Sequence, residues 1–224
     1  MLHRIDKYIL KELLTHDSLP FSELRPPGVE SNTLTYRLQR FAKEGLIRKS
    51  KDGHYVLTAI GRRFTDRLNL GKFIPRELAK PLTLIVCRRG DQWLLYQRYI
   101  HPLKDLAGLP HANLKPGESL IDSAERRLRE KVGIKTKLVY RGGGYLTFYK
   151  DRELEGYNQI NIVENITPPV GKLIEEAEAG MGRNFWQKNP DFSEAKYIPS
   201  LKSIEIALRS NPKQLFFIEK TFDL

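Results

Sequence analysis

Residues 109–134 read LPHANLKPGESLIDSAERRLREKVGI, and this stretch decides the fold of the larger part of the chain. At about 100° per residue, Leu120, Ile121, Ala124, Leu128 and Val132 fall on one apolar stripe, the pattern of a helix packed on a sheet. Arg127 and Lys131 stand four apart and are therefore neighbours on that helix. They border the stripe on the side of the loop ending at Gly117 and Glu118, while Glu130 lies further round.

The positions Ala112, Glu118, Arg126, Arg127, Leu128, Glu130, Lys131, Gly133 and Ile134 fit a known frame without gaps. The stretch resembles the Nudix box: glycine, five residues, glutamate, seven residues, then Arg-Glu-apolar-x-Glu-Glu-x-Gly-apolar. In that family the second, fifth and sixth residues of the terminal block are glutamates that hold divalent metal against a substrate diphosphate. Here they read Arg127, Glu130 and Lys131. Hard cations need oxygen ligands, so two cationic side chains oppose Mg²⁺, and the resemblance implies a degenerate box with no certain cofactor. If activity survives, Glu118 and Glu130 are the catalytic and metal-binding candidates and Mg²⁺ the cofactor. Arg127 and Lys131 are alternatively read as direct phosphate ligands, Arg127 as a bidentate fork and Lys131 as a point charge, or Arg127 pairs with Glu130 on a surface.

The preceding loop is altered as well, since Leu109-Pro110-His111-Ala112 stands where the family has Leu-Pro-Gly-Gly. His111 is a ligand candidate or plain surface. Upstream, Leu94-Leu95-Tyr96-Gln97-Arg98 and then Lys104 resemble Nudix relatives acting on isopentenyl diphosphate or similar small diphosphates. The candidate ligand set is thus Arg98, Lys104, His111, Glu118, Arg127 and Lys131. Glu175, Glu176 and Glu178 form a solvated acidic face or substitute metal ligands.

Around this stretch, 224 residues leave room for two modest domains. One cysteine, Cys87, excludes an internal disulfide and a cysteine zinc site. No segment approaches the roughly 20 apolar residues of a membrane span, and the start MLHRIDKYIL turns amphipathic instead of forming a signal-peptide core. A cytoplasmic location and no membrane partner are expected. The net charge of +11 favours polyanionic partners.

Residues 1–70 read as a domain of their own. Ile5, Ile9 and Leu13 give a helical stripe, residues 20–25 a short second helix, and Pro26-Pro27-Gly28 a break. Leu34, Leu38, Phe41 and Ala42 face inward from a third helix ending near Gly45. Lys51-Asp52-Gly53-His54 turns a hairpin, and a last helix starts at Thr58. The order, with SNTLTYRLQRFAKEGLIRKS and YVLTAIGRR, resembles the winged helix-turn-helix of transcription regulators. That resemblance implies contact with double-stranded DNA by Ser31, Thr33, Thr35, Tyr36, Arg37 and Arg40 of the third helix and by Arg48, Lys49 and Lys51 of the wing. Residues 1–75 hold 14 Lys and Arg against 8 Asp and Glu, which is +6 of the +11.

Residues 71–80 read as a linker, and residues 81–224 as the Nudix-like domain, with strands at 82–87, 93–97, 135–140, 145–149 and 158–164, a helix at 198–209 and an extended end at 215–218. The expected fold class is α+β, a winged helix-turn-helix followed by a Nudix-type α/β/α sandwich with a mixed sheet. The expected function is a DNA-binding transcriptional regulator whose degenerate, non-hydrolytic Nudix domain senses a nucleotide-like or phosphorylated metabolite, with homodimerisation open. The alternatives are a Nudix pyrophosphohydrolase acting on a nucleoside diphosphate derivative or small diphosphate, and an RNA- or ribosome-associated binding protein.

Overall fold

A computed structural model describes residues 2–69, 71–177 and 180–224. The chain divides into two compact units, Met1–Glu77 and Leu78–Leu224.

In the first unit, α1 (Arg4–Thr15) begins at a reciprocal cap. The His3 ring accepts from the Ile5 amide at 3.3 Å, and the Asp6 carboxylate accepts from the His3 amide at 3.0 Å. Next come α2 (Ser31–Lys43), the antiparallel strands β1 (Ile47–Lys49) and β2 (Tyr55–Leu57), and α3 (Ala59–Asp66), capped by Thr58. Ile9, Leu10, Leu34, Leu38, Phe41 and Ile47 close one core. The helix expected at residues 20–25 is absent, and Phe21–Leu24 form only turns. Proline at 20, 26 and 27 leaves too few residues between helix breakers to nucleate one. The segment read as a linker carries structure, because Ile74–Pro75 pairs with Leu68–Asn69.

The second unit is a mixed α/β fold. Besides five two-residue strands, its strands are β3 (Lys80–Val86), β4 (Gln92–Arg98), β5 (His111–Ala112), β6 (Leu138–Lys150), β7 (Glu153–Asn165), β8 (Gly182–Lys188) and β9 (Phe216–Asp223). Its helices are α4 (Leu120–Arg127) and α5 (Ser200–Ser210). One sheet runs in the order β9-β6-β7-β3-β5, with β9/β6 and β7/β3 parallel and the other two pairings antiparallel. A second, antiparallel sheet is built on β8 and β4.

Period-two alternation splits the strands between two cores. Val86, Trp93 and Leu95 join Leu201, Ile204 and Leu208 of α5, whereas Ile85, Cys87 and Leu94 join Ala124, Leu128 and Val132 on the α4 side. The two helices thus serve opposite cores, and the sheets lie between them. Ser119 caps α4, accepting from the Asp122 amide at 3.1 Å. The helix then widens into a π turn over Leu128–Val132, and Gly133 ends it at φ +76.

The sequence expectation of two strands at 135–140 and 145–149 is corrected to one 13-residue strand, β6. Gly142-Gly143-Gly144 reads as a loop but lies in the ladder. A Cβ on Gly142 would stand 2.1 Å from the Phe216 carbonyl oxygen and one on Gly143 2.6 Å from that of Ile160, so the glycines admit the neighbouring backbones of β9 and β7. The extended end also runs further than expected, through Asp223.

Candidate ligand site

A cavity of about 280 Å³ opens in the second unit between β3, β4, β6, β7 and α5. Leu82, Leu84, Leu146, Ile160, Leu201 and Ile204 form its apolar walls, and Lys80, Arg98, His111, Glu155 and Asn158 supply polar groups. The size falls just below the roughly 300–1,000 Å³ usual for ligand pockets, and the mix of apolar wall and few polar groups is characteristic of them. Arg98 is held in place by its Nε, which donates to the Pro102 carbonyl at 2.7 Å. His111 meets Tyr96 edge-on, with ring centroids 6.0 Å apart.

The structure therefore brings two of the sequence-predicted ligand residues, Arg98 and His111, to one cavity. Lys104 lies exposed on the loop after β4 and is not in its wall. Glu118, Arg127 and Lys131 belong to the α4 region. Arg127 is buried there, Lys131 is exposed, and the Lys131 carbonyl accepts from Asn184 at 3.2 Å.

Arg126 dominates that region. Its Nε and Nη2 donate to the two oxygens of Glu118 at 2.6 and 2.9 Å, and its Nη1 stands 3.8 Å from Glu130. Those hydrogen bonds hold the Glu118 carboxyl at about 2, well below the usual carboxylate range, and raise the Arg126 pKa in turn. Both candidate metal-binding carboxylates thus share an internal guanidinium. With cationic side chains at Arg127 and Lys131, this donor set does not fit a divalent cation. Among the described residues no cluster of three or more His, Cys, Asp or Glu could hold one. Glu175 and Glu176 are exposed, and Glu178 lies outside the described residues.

Sequence reasoning missed Lys80, Glu155, Asn158 and the α5 residues of the cavity. No motif marks them: Lys80 and Asn158 meet through the parallel pairing of β7 with β3, and α5 comes from far along the chain.

In the first unit, Ser31, Thr33, Thr35, Tyr36, Arg48, Lys49 and Lys51 are exposed. Arg37 and Arg40 instead turn to Asp6, which is 1 % exposed and takes their guanidinium groups at 3.3 and 3.0 Å. Ser31 accepts from Arg25 at 3.2 Å, and the Thr35 hydroxyl donates to the Ser31 carbonyl at 2.9 Å.

No protein-family model matches the chain, and no curated protein does. Solved structures do. The MutT mutator protein of Bacillus halodurans is 18% identical over 64% of this chain and 89% of its own, with a TM-score of 0.48. A MutT Nudix hydrolase of Burkholderia pseudomallei is 16% identical over 59% and 98%, with a TM-score of 0.45. A bifunctional NMN adenylyltransferase/ADP ribose pyrophosphatase of Francisella tularensis, solved with AMP and a manganese ion, is 16% identical over 80% and 53%, with a TM-score of 0.44.

The expectation of a DNA-binding transcriptional regulator with a non-hydrolytic sensor domain is corrected. The similar structures are a MutT mutator protein, a MutT Nudix hydrolase and an NMN adenylyltransferase/ADP ribose pyrophosphatase. Arg37 and Arg40, expected to contact DNA, each pair with the buried Asp6 carboxylate while staying partly exposed. No described helix is long and apolar enough to cross a membrane.

Proposed function

We propose that the Leu78–Leu224 unit is a Nudix-type pyrophosphohydrolase acting on a nucleoside diphosphate derivative or a small diphosphate. The observation that carries this reading is the two-residue strand β5. His111 lines the cavity, while its neighbour Ala112 packs in the core of α4, so one strand joins a ligand pocket to the helix with the box spacing. Lys80 and Arg98 neutralise the diphosphate oxygens. Water attacks phosphorus, the bridging P–O bond breaks with its electron pair on the leaving phosphate, and the proton of the water passes to a carboxylate. Of Glu118, Glu130 and Glu155, only Glu155 lies on the cavity wall, and we assign it the base. For the first unit we propose a winged-helix form, from its two helices, hairpin and closing helix.

The test is hydrolysis by the full chain of ADP-ribose, a deoxynucleoside triphosphate and geranyl diphosphate, each with Mg²⁺, with Mn²⁺ and with chelator. Product release above the buffer rate is expected for at least one, with turnover lowered at least about 100-fold in Glu155→Gln. No release from any substrate under any condition overturns the reading.

A further inference from the structure

The rows of side chains inside the cavity change character along the strands. Lys80 pairs with Asn158, Leu82 with Ile160 and Leu84 with Ile162 across the parallel β3/β7 ladder, so these three pairs share one face. The outermost pair is cationic and amide, and the two inner pairs are hydrocarbon. At about 3.3 Å per residue, the step from Lys80 to Leu84 covers roughly 13 Å. Leu146, Leu201 and Ile204, each 3 % exposed or less, continue the hydrocarbon wall.

Hydrogen bonds within the protein already hold two of the wall's polar groups, and of the Arg98 guanidinium they use Nε and Nη2. The Tyr96 hydroxyl donates to the Met181 carbonyl at 3.2 Å, and the Arg98 guanidinium donates to the carbonyls of Pro102 and His101 at 2.7 and 3.4 Å. Each aromatic ring of the wall already meets another ring, although Tyr157 is still 43% exposed. Phe148 stacks on Phe222 at 5.5 Å, Tyr157 on Tyr145 at 6.0 Å, and Tyr96 meets His111. A polar base edge entering the Leu82–Ile160 region would lose its hydrogen bonds to water without replacement, whereas methylene groups gain by the same transfer.

We infer that the substrate of this site is the diphosphate of a hydrocarbon chain, with the chain along Leu82, Leu84 and Ile160 and the diphosphate at Lys80, Asn158 and Arg98. This rests on the reading of the cavity as the substrate site and narrows its substrate class from the two named there to one.

The test is calorimetric titration of the full chain, without catalysis as a readout, using geranyl diphosphate, inorganic pyrophosphate and ADP-ribose as probes. Geranyl diphosphate is expected to bind at least about tenfold more tightly than either of the others, because several methylene groups leave water. Ile204→Trp, which fills the hydrocarbon end, should weaken geranyl diphosphate about tenfold or more and leave pyrophosphate unchanged, and Lys80→Ala should weaken both. Leu82→Phe is the smaller filling variant should Ile204→Trp fail to fold, as judged by its thermal melt. ADP-ribose binding as tightly as geranyl diphosphate, or a filling variant that folds and binds geranyl diphosphate unchanged, overturns the inference. Hydrolysis of ADP-ribose alone would overturn it while upholding the pyrophosphohydrolase. Tight geranyl diphosphate binding with no turnover of any substrate would do the reverse.

Discussion

Arg126 grips both oxygens of Glu118, at 2.6 and 2.9 Å, across the loop that leads into α4. The Lys115 amide donates to the same carboxylate at 3.2 Å, so the pair fixes the loop as well as the helix. A carboxylate depressed from its model-peptide value of 4.5 to about 2 contributes stability that is present above 4.5 and lost as pH falls through 2. The melting temperature of the native chain should therefore exceed that of Glu118→Gln most at neutral pH, with the difference shrinking between pH 4.5 and 2. A pH-independent difference would show that the charge is not what the fold uses.

Asp6 joins α1 to α2 through Arg37 and Arg40. Removing one partner of a buried ion pair leaves charge unpaired, typically at about 3–5 kcal/mol, and the partial exposure of both arginines should reduce this to about 2–3 kcal/mol. Urea denaturation of Asp6→Ala should show that loss in the first unit. A change below 0.5 kcal/mol, the scale of an ordinary surface substitution, would mean that the carboxylate is incidental to helix packing.

Gly133 ends the α4 region at φ +76, and a Cβ there would stand 2.1 Å from the Lys172 carbonyl oxygen. Gly133→Ala combines left-handed backbone with a clash against main chain and should cost about 2 kcal/mol or more. A melting temperature equal to that of the native chain would refute this account of the box glycine.

Cys87 is fully buried, and burial pushes its thiol up to about 12. Because the thiolate is the reactive form, iodoacetamide should leave the folded chain unlabelled at pH 8 and modify it only on unfolding. Mass spectrometry across a urea series should give a labelling transition that coincides with the loss of structure in the second unit.

The α4 stripe was legible in the sequence, since Ala124, Leu128 and Val132 sit in the core as their spacing requires. So was the β1/β2 hairpin, marked by Asp52-Gly53. The pairing of Arg126 with Glu118 was not, because eight residues apart on a loop and a helix they answer to no helical period. Nor was the cavity, whose polar mouth depends on the register of β7 against β3 and not on any local pattern. Glycines 142–144 misled in the opposite direction: a run that spells a loop by propensity serves a backbone contact that only the strand order creates.

The strand order has a kinetic consequence. β6 and β7 are joined by just Asp151 and Arg152, both at positive φ, in the two-residue form of a tight hairpin. That pairing can close early, since its contacts are near in sequence. The flanking partners are distant, with β3 some 70 residues before β7 and β9 some 75 after β6, and each lies parallel to its neighbour. Loop closure of that length slows folding. The long hairpin thus holds the most local pairing of the sheet, and without the distant β3 the hydrocarbon wall has only one side.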